Sequence, residues 1–190
     1  MNLPNKLTVS RFALTFFFLV AIFVHGPYCD TAALLLFSAA GMTDYWDGKI
    51  ARERNIVTNF GILMDPLADK ILVCSAFIAL IGRGMIPAWM GVIIVARELA
   101  ITGLRMLAAS RNLILAAERG GKMKTIAQIV AVIAVLVHLS SPELGGAFDR
   151  FLMLWVPTFS LVALWVSVVL TGYSGFNYLW RNRRLYLQDV

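Results

Sequence analysis

The sequence predicts an all-α integral membrane protein of six transmembrane helices with both termini on the cytoplasmic side. Three observations carry that expectation. The 190 residues are 59% hydrophobic and only 15% charged, with a mean hydropathy of +0.76, a balance outside the range of water-soluble domains. Predominantly apolar runs recur six times along the chain. The basic residues gather at alternate ends of those runs, as Lys and Arg do on the cytoplasmic face of membrane proteins.

The first run, 7–24, follows Lys6 and overlaps Arg11. It resembles a signal peptide, but His25-Gly26-Pro27-Tyr28 offers no small-residue cleavage site, so it reads as a retained span. Residues 1–10 are poor in Arg and Ser for an organellar transit peptide, which points to a bacterial chain. The runs 31–45, 67–81 and 126–139 fall short of the roughly 20 residues a bilayer crossing needs, so their helices must continue into the charged segments beside them. The runs 86–107 and 151–180 are long enough alone, the former with Arg97 and Glu98 midway. Turn residues separate the spans at Gly26-Pro27, Gly82-Arg83-Gly84, Gly120-Gly121 and Ser141-Pro142 through Gly145-Gly146.

Six spans put both termini on one side. Of the 17 basic residues only Arg83 and Arg150 then fall opposite, with Arg97 mid-span. Neither a repeat nor a linker divides the chain, so 1–190 reads as a single membrane domain. Cys29 and Cys74 are too few and too badly placed for a disulfide framework, and nothing in the pattern calls for a nucleic-acid partner.

Between the second and third runs lies the pattern Asp44-x2-Asp47-Gly48-x2-Ala51-Arg52-x8-Gly61-x3-Asp65-x3-Asp69. A carboxylate near hydrocarbon is costly unless paired, so four together point to bound cations. On helices, Asp44, Asp47 or Gly48, and Ala51 share one face, and Gly61, Asp65 and Asp69 share another. Two antiparallel helices would therefore aim four carboxylates at one point beside small residues. Hard oxygen donors suit Mg2+ or Mn2+, and two such ions can clamp a diphosphate for phosphoryl transfer. A carboxylate not fully engaged with metal can take a proton from an attacking hydroxyl. A purely structural account has Asp65 capping a helix that starts at Pro66, and Arg52 snorkelling to the interface; it covers one aspartate of the four. A divalent-cation transporter is a further alternative, although such proteins tend to show repeated halves with broken helices at the midplane.

This pattern resembles the signature of the CDP-alcohol phosphotransferase family. The resemblance implies six transmembrane helices, a homodimer, and transfer of a substituted phosphoryl group from a CDP-linked donor to an alcohol with release of CMP. It implies metal sites at Asp44, Asp47, Asp65 and Asp69, two Mg2+ or Mn2+ ions per site, Asp69 as the base, and Gly48, Ala51, Arg52 and Gly61 lining the cytidine diphosphate. Three further segments are similar to the bacterial branch that makes phosphatidylglycerophosphate: Pro4-Asn5-x-Leu7-Thr8-x-x-Arg11, Asp65-Pro66-Leu67-Ala68-Asp69-Lys70, and Gly121-Lys122-Met123-Lys124-Thr125. That similarity implies CDP-diacylglycerol as donor, sn-glycerol 3-phosphate as acceptor, and a site facing the cytoplasm from the bacterial inner membrane. Phosphatidylglycerol or an inositol phosphate is the alternative acceptor.

A phosphorylated acceptor needs fixed positive charge, which Arg105, Lys122 and Lys124 can supply. The resemblance places them near its phosphate, with Thr125 as a hydroxyl donor, and Ala117-Glu118-Arg119-Gly120 departs from the more hydrophobic residues usual there. Glu98, Thr102 and Arg105 follow one helical face, so Glu98 is expected to orient Arg105; Thr8 is the other candidate for a supporting contact. His25 and His138 fall at the far ends of their spans. Phe16, Phe17, Phe18, Trp155 and Trp165 read as lipid-facing or packing surface. Tyr178, Trp180, Arg181, Arg183, Arg184 and Tyr186 read as an interfacial anchor among membrane lipids.

Overall fold

The computed structural model describes residues 3–24, 26–54, 59–111, 113 and 119–187; at 3–5, 7, 44–54, 59–63, 119–120, 147–148, 184 and 187 it describes the backbone alone. These residues form α1 (Leu3–Phe23), α2 (Cys29–Arg54), α3 (Asn59–Gly82), α4 (Ala88–Ser110), α5 (Arg119–Leu144), α6 (Gly146–Arg181) and a single-turn α7 (Arg183–Leu187). Each long helix contains one of the six apolar runs to within two residues at either end. The short runs do continue into charged sequence: α2 extends to Arg54, α3 starts at Asn59 and α5 at Arg119.

One turn expectation fails and one holds only at its end. Gly120 and Gly121 lie in the first turn of α5, and Ser141-Pro142 stays helical, with Pro142 inside α5. The chain breaks at Gly145 and Gly146, whose φ of 63° and 67° are conformations that glycine adopts without steric cost. The expected turn after α3 forms as a Schellman motif: Gly84 has φ 72°, and the Met85 and Gly84 N–H groups donate to the carbonyls of Leu80 and Ile81 at 3.0 and 2.9 Å.

The long helices close into a ring in the order α1, α2, α5, α6, α4, α3, with α3 also touching α5 across it. Phe18, Ile22, Phe37, Phe77, Leu80, Ile94 and Leu136 fill the interior. Among the buried residues of α5 and α6 are several hydroxyls and an amide as well as apolar side chains. Ser160, Ser167 and Ser174 recur every seven residues, each hydroxyl donating to a carbonyl one turn back, and Gln128 Nε2 donates to Thr171 Oγ1 at 3.0 Å. Phe16, Phe17, Leu154, Val169 and Phe176 point outward. Large apolar groups that face outward as well as inward, with satisfied hydroxyls between helices, are the distribution expected of helices bathed in lipid. By length and composition, the helical segments Gly121–Leu144 and Asp149–Arg181 can cross a membrane, while Thr8–Phe23 and Cys29–Thr43 are shorter apolar stretches.

At the end of the ring where α1, α3 and α5 finish and α2 begins, one cluster ties four helices. Glu143 accepts from the Asp30 and Thr31 N–H groups at 3.0 and 2.7 Å and from the Thr31 hydroxyl at 2.6 Å. A carboxylate at the start of α2 satisfies amides that have no partner within the helix. Arg83 donates to Asp30 Oδ2 and to the Ile22 carbonyl, both at 2.8 Å.

Candidate active site

At the opposite end of the ring, Asp65 and Asp69 stand one turn apart on α3, on one face. Because α3 starts at Asn59 and carries Pro66 in its interior, Asp65 is not a helix cap, and the structural account of that aspartate fails. Instead the Thr8 hydroxyl on α1 donates to Asp65 Oδ1 at 2.5 Å, with Thr8 fully enclosed. Arg11, three residues further along α1, is fully enclosed as well. Such a bond fixes the rotation of the carboxylate, as a supporting contact to a metal ligand does.

Lys70 turns toward α4, donating to Thr102 Oγ1 at 2.6 Å, and Thr102 donates in turn to the Glu98 carbonyl at 2.7 Å. The sequence expectation that Glu98 orients Arg105 is not met. Seven residues climb about 10.5 Å along a helix, and Arg105 lies exposed near the end of α4, its Nε 3.5 Å from the Tyr178 hydroxyl and its guanidinium 5.8 Å from that ring's centroid. Tyr178 is correspondingly buried against Ile101 and Leu104, not an exposed interfacial anchor. Trp180 does keep an exposed face, with the Arg183 guanidinium 4.5 Å above it.

Glu98 has other partners. Its Oε1 accepts from Lys124 Nζ on α5 and from Arg97 Nη1 at 3.3 Å, and Arg97 Nη2 reaches Ser174 on α6 at 3.3 Å. The stem of Arg97 lies against Gly175, where an added Cβ would stand 2.7 Å from Arg97 Cγ. Lys124 is 5% exposed and Glu98 7%, so this ionic group joins α4, α5 and α6 in the interior. Lys122, two residues before, is exposed, and the Thr125 hydroxyl is turned onto the Gly121 carbonyl at 3.1 Å. Sequence reasoning missed the Lys70–Thr102 and Arg97–Ser174 contacts; the one hint was a charge midway in an apolar run, which demands a partner without saying which.

Asp44, Asp47, Gly48, Ala51 and Arg52 lie on the last turns of α2 and Gly61 in the first turn of α3, with their side chains outside the described residues. Among the described residues no three His, Cys, Asp or Glu side chains converge. The donor set still fits a hard divalent cation: Asp65 and Asp69 offer only oxygen, α2 passes beside α3, and Thr8 pre-orients one carboxylate.

The profile of the CDP-alcohol phosphatidyltransferase family matches residues 1–173. A Bacillus subtilis (strain 168) protein named CDP-diacylglycerol--glycerol-3-phosphate 3-phosphatidyltransferase is 42% identical over 193 residues, covering 95% of each chain. A Mycobacterium tuberculosis protein named probable phosphatidylglycerophosphate synthase is 36% identical over 186 residues, covering 96% of this chain and 82% of its own. A Rickettsia bellii protein bearing the same name as the Bacillus one is 32% identical over 177 residues, covering 93% of each. With paired aspartates on α3 supported from α1, and with similarity along nearly its whole length, the chain belongs to the CDP-alcohol phosphatidyltransferase family, and it is a phosphatidyltransferase.

Proposed function

We propose that the chain transfers the phosphatidyl group of CDP-diacylglycerol to sn-glycerol 3-phosphate, giving phosphatidylglycerophosphate and CMP. What carries the reading is the 42% identity to the Bacillus protein over 95% of both chains. The finer picture is a six-span, homodimeric domain of the bacterial inner membrane with cytoplasmic termini and a cytoplasmic site, supported by the placement of the basic residues.

Asp44, Asp47, Asp65 and Asp69 would hold Mg2+ or Mn2+, two ions per site. When bound, these ions neutralise charge on the diphosphate. Thr8 holds Asp65 in place. Gly48, Ala51 and Gly61 leave room for the cytidine diphosphate, and Arg52 counters the charge on the departing phosphate. Lys122, Lys124 and Arg105 bind the acceptor phosphate, with the Thr125 hydroxyl beside them. Asp69 accepts the proton of the acceptor hydroxyl. The hydroxyl oxygen bonds to the phosphorus that carries diacylglycerol, the bond from that phosphorus to the cytidylate oxygen breaks, and CMP leaves with the electron pair.

Membranes containing the protein, supplied with CDP-diacylglycerol and radiolabelled sn-glycerol 3-phosphate, phosphatidylglycerol or inositol phosphate in turn, are expected to form a new labelled lipid product with the first alone. EDTA abolishes the reaction, and Asp69→Asn lowers turnover by about 100-fold or more while CDP-lipid still binds. Labelling from another acceptor refutes the assignment. Metal flux into proteoliposomes without CMP release revives the transporter alternative.

A further inference from the structure

Resting on the acceptor chemistry just proposed, we infer that Glu98 is a positioning residue for the acceptor phosphate, acting through Lys124. Lys124 is almost fully enclosed, and a buried ammonium keeps its charge only beside a counter-charge. The Glu98 carboxylate is that counter-charge, and it reaches Lys124 across 26 residues of sequence from another helix. An ammonium has three N–H donors. Glu98 takes one, which leaves two for phosphate oxygens.

The group is also incomplete as a set of charges. Two cations, Lys124 and Arg97, share one carboxylate oxygen, and Arg97 Nε is buried with no hydrogen-bond partner among the described residues. Within this group of three, one positive charge is in excess, and an anionic phosphate can offset it. The backbone of the same residue anchors the other side of the site, since the Glu98 carbonyl holds Thr102, and Thr102 holds Lys70, the neighbour of Asp69. Glu98 thus ties the lysine of the acceptor side to the helix that carries the carboxylates. Without its charge Lys124 loses the contact that holds it in place, and the phosphate loses its partner.

Steady-state kinetics on purified protein in lipid nanodiscs, with Tm recorded for each variant, test the idea. E98Q is expected to raise the KM for sn-glycerol 3-phosphate by about 10-fold or more while the KM for CDP-diacylglycerol stays within about twofold. E98D keeps the charge on a shorter arm and gives a smaller rise in the acceptor KM alone, a test that stands even if E98Q does not fold. The double variant E98Q/K124M is expected to be no worse than K124M, because both changes remove one interaction. An unchanged acceptor KM in E98Q and E98D, a multiplicative double variant, or an equal rise in both KM values with a falling Tm would overturn the inference. Wild-type protein that releases no CMP with sn-glycerol 3-phosphate overturns the proposed function itself, and this inference with it.

Discussion

Replacing Thr8 by Val keeps the branched shape and removes only the hydroxyl that donates to Asp65 Oδ1 at 2.5 Å. A hydrogen bond to a charged acceptor contributes about 1.5–3 kcal/mol. Thr8 is fully enclosed, so water does not replace the lost donor. Taking about 2 kcal/mol at 1.36 kcal/mol per factor of ten gives roughly 30-fold. The loss falls on the carboxylate's orientation, and so on divalent-cation affinity, in line with the 10- to 100-fold that supporting contacts to metal ligands are worth. Two titrations measure it: CMP release against Mg2+ concentration, and Tm against Mg2+ concentration without substrate, which reads binding through its linkage to unfolding. Both midpoints are expected to move up together by about 30-fold in Thr8→Val and by less than about threefold in Thr8→Ser. Midpoints within twofold of wild type in Thr8→Val would refute the reasoning, because the bond would then have no bearing on the metal.

Glu143→Ala removes three hydrogen bonds from the start of α2 and is expected to lower stability by about 2–3 kcal/mol, with Glu143→Gln costing about half as much because an acceptor oxygen remains; thermal unfolding in detergent separates the two. Gly91→Ala and Gly175→Ala introduce the same methyl with different consequences. At Gly91 the new Cβ meets the tip of Ile81 at 2.3 Å, which can rotate away, whereas at Gly175 it meets the stem of Arg97. Gly175→Ala is therefore expected to cost about 1–3 kcal/mol and Gly91→Ala less than about 1. Equal Tm values for the two variants would count against the packing of Arg97 on α6.

The helices were legible because apolar runs and the length a bilayer demands are local properties. A mainly apolar run of fifteen residues had to be extended, and the extensions reach into the charged sequence that carries the remaining aspartates. Helix ends were less legible. Pro66, Pro142 and Gly120-Gly121 all look like breaks, yet each stays helical, because the ring holds the helix past a residue that would end it in isolation. The carboxylate signature was readable as spacing along one chain. Its support was not: Thr8 meets Asp65 across 57 residues, and Lys124 meets Glu98 across 26. Helical periodicity assigned Glu98 a neighbour on its own helix, whereas the folded bundle gave it one from the next.

The Glu143–Asp30–Arg83 cluster has a mechanical consequence at the far end of the ring. It pins α2, the end of α3 and the end of α5 to one point and holds the Ile22 carbonyl near the end of α1 beside them, and α3, with 24 residues, reaches about 36 Å away from that point. Asp65 lies about 27 Å along that lever, so a tilt of about 3° at the fulcrum moves it by about 1.4 Å, enough to misplace a carboxylate. The alignment of the aspartates is thus set partly by a glutamate at the opposite end of the molecule.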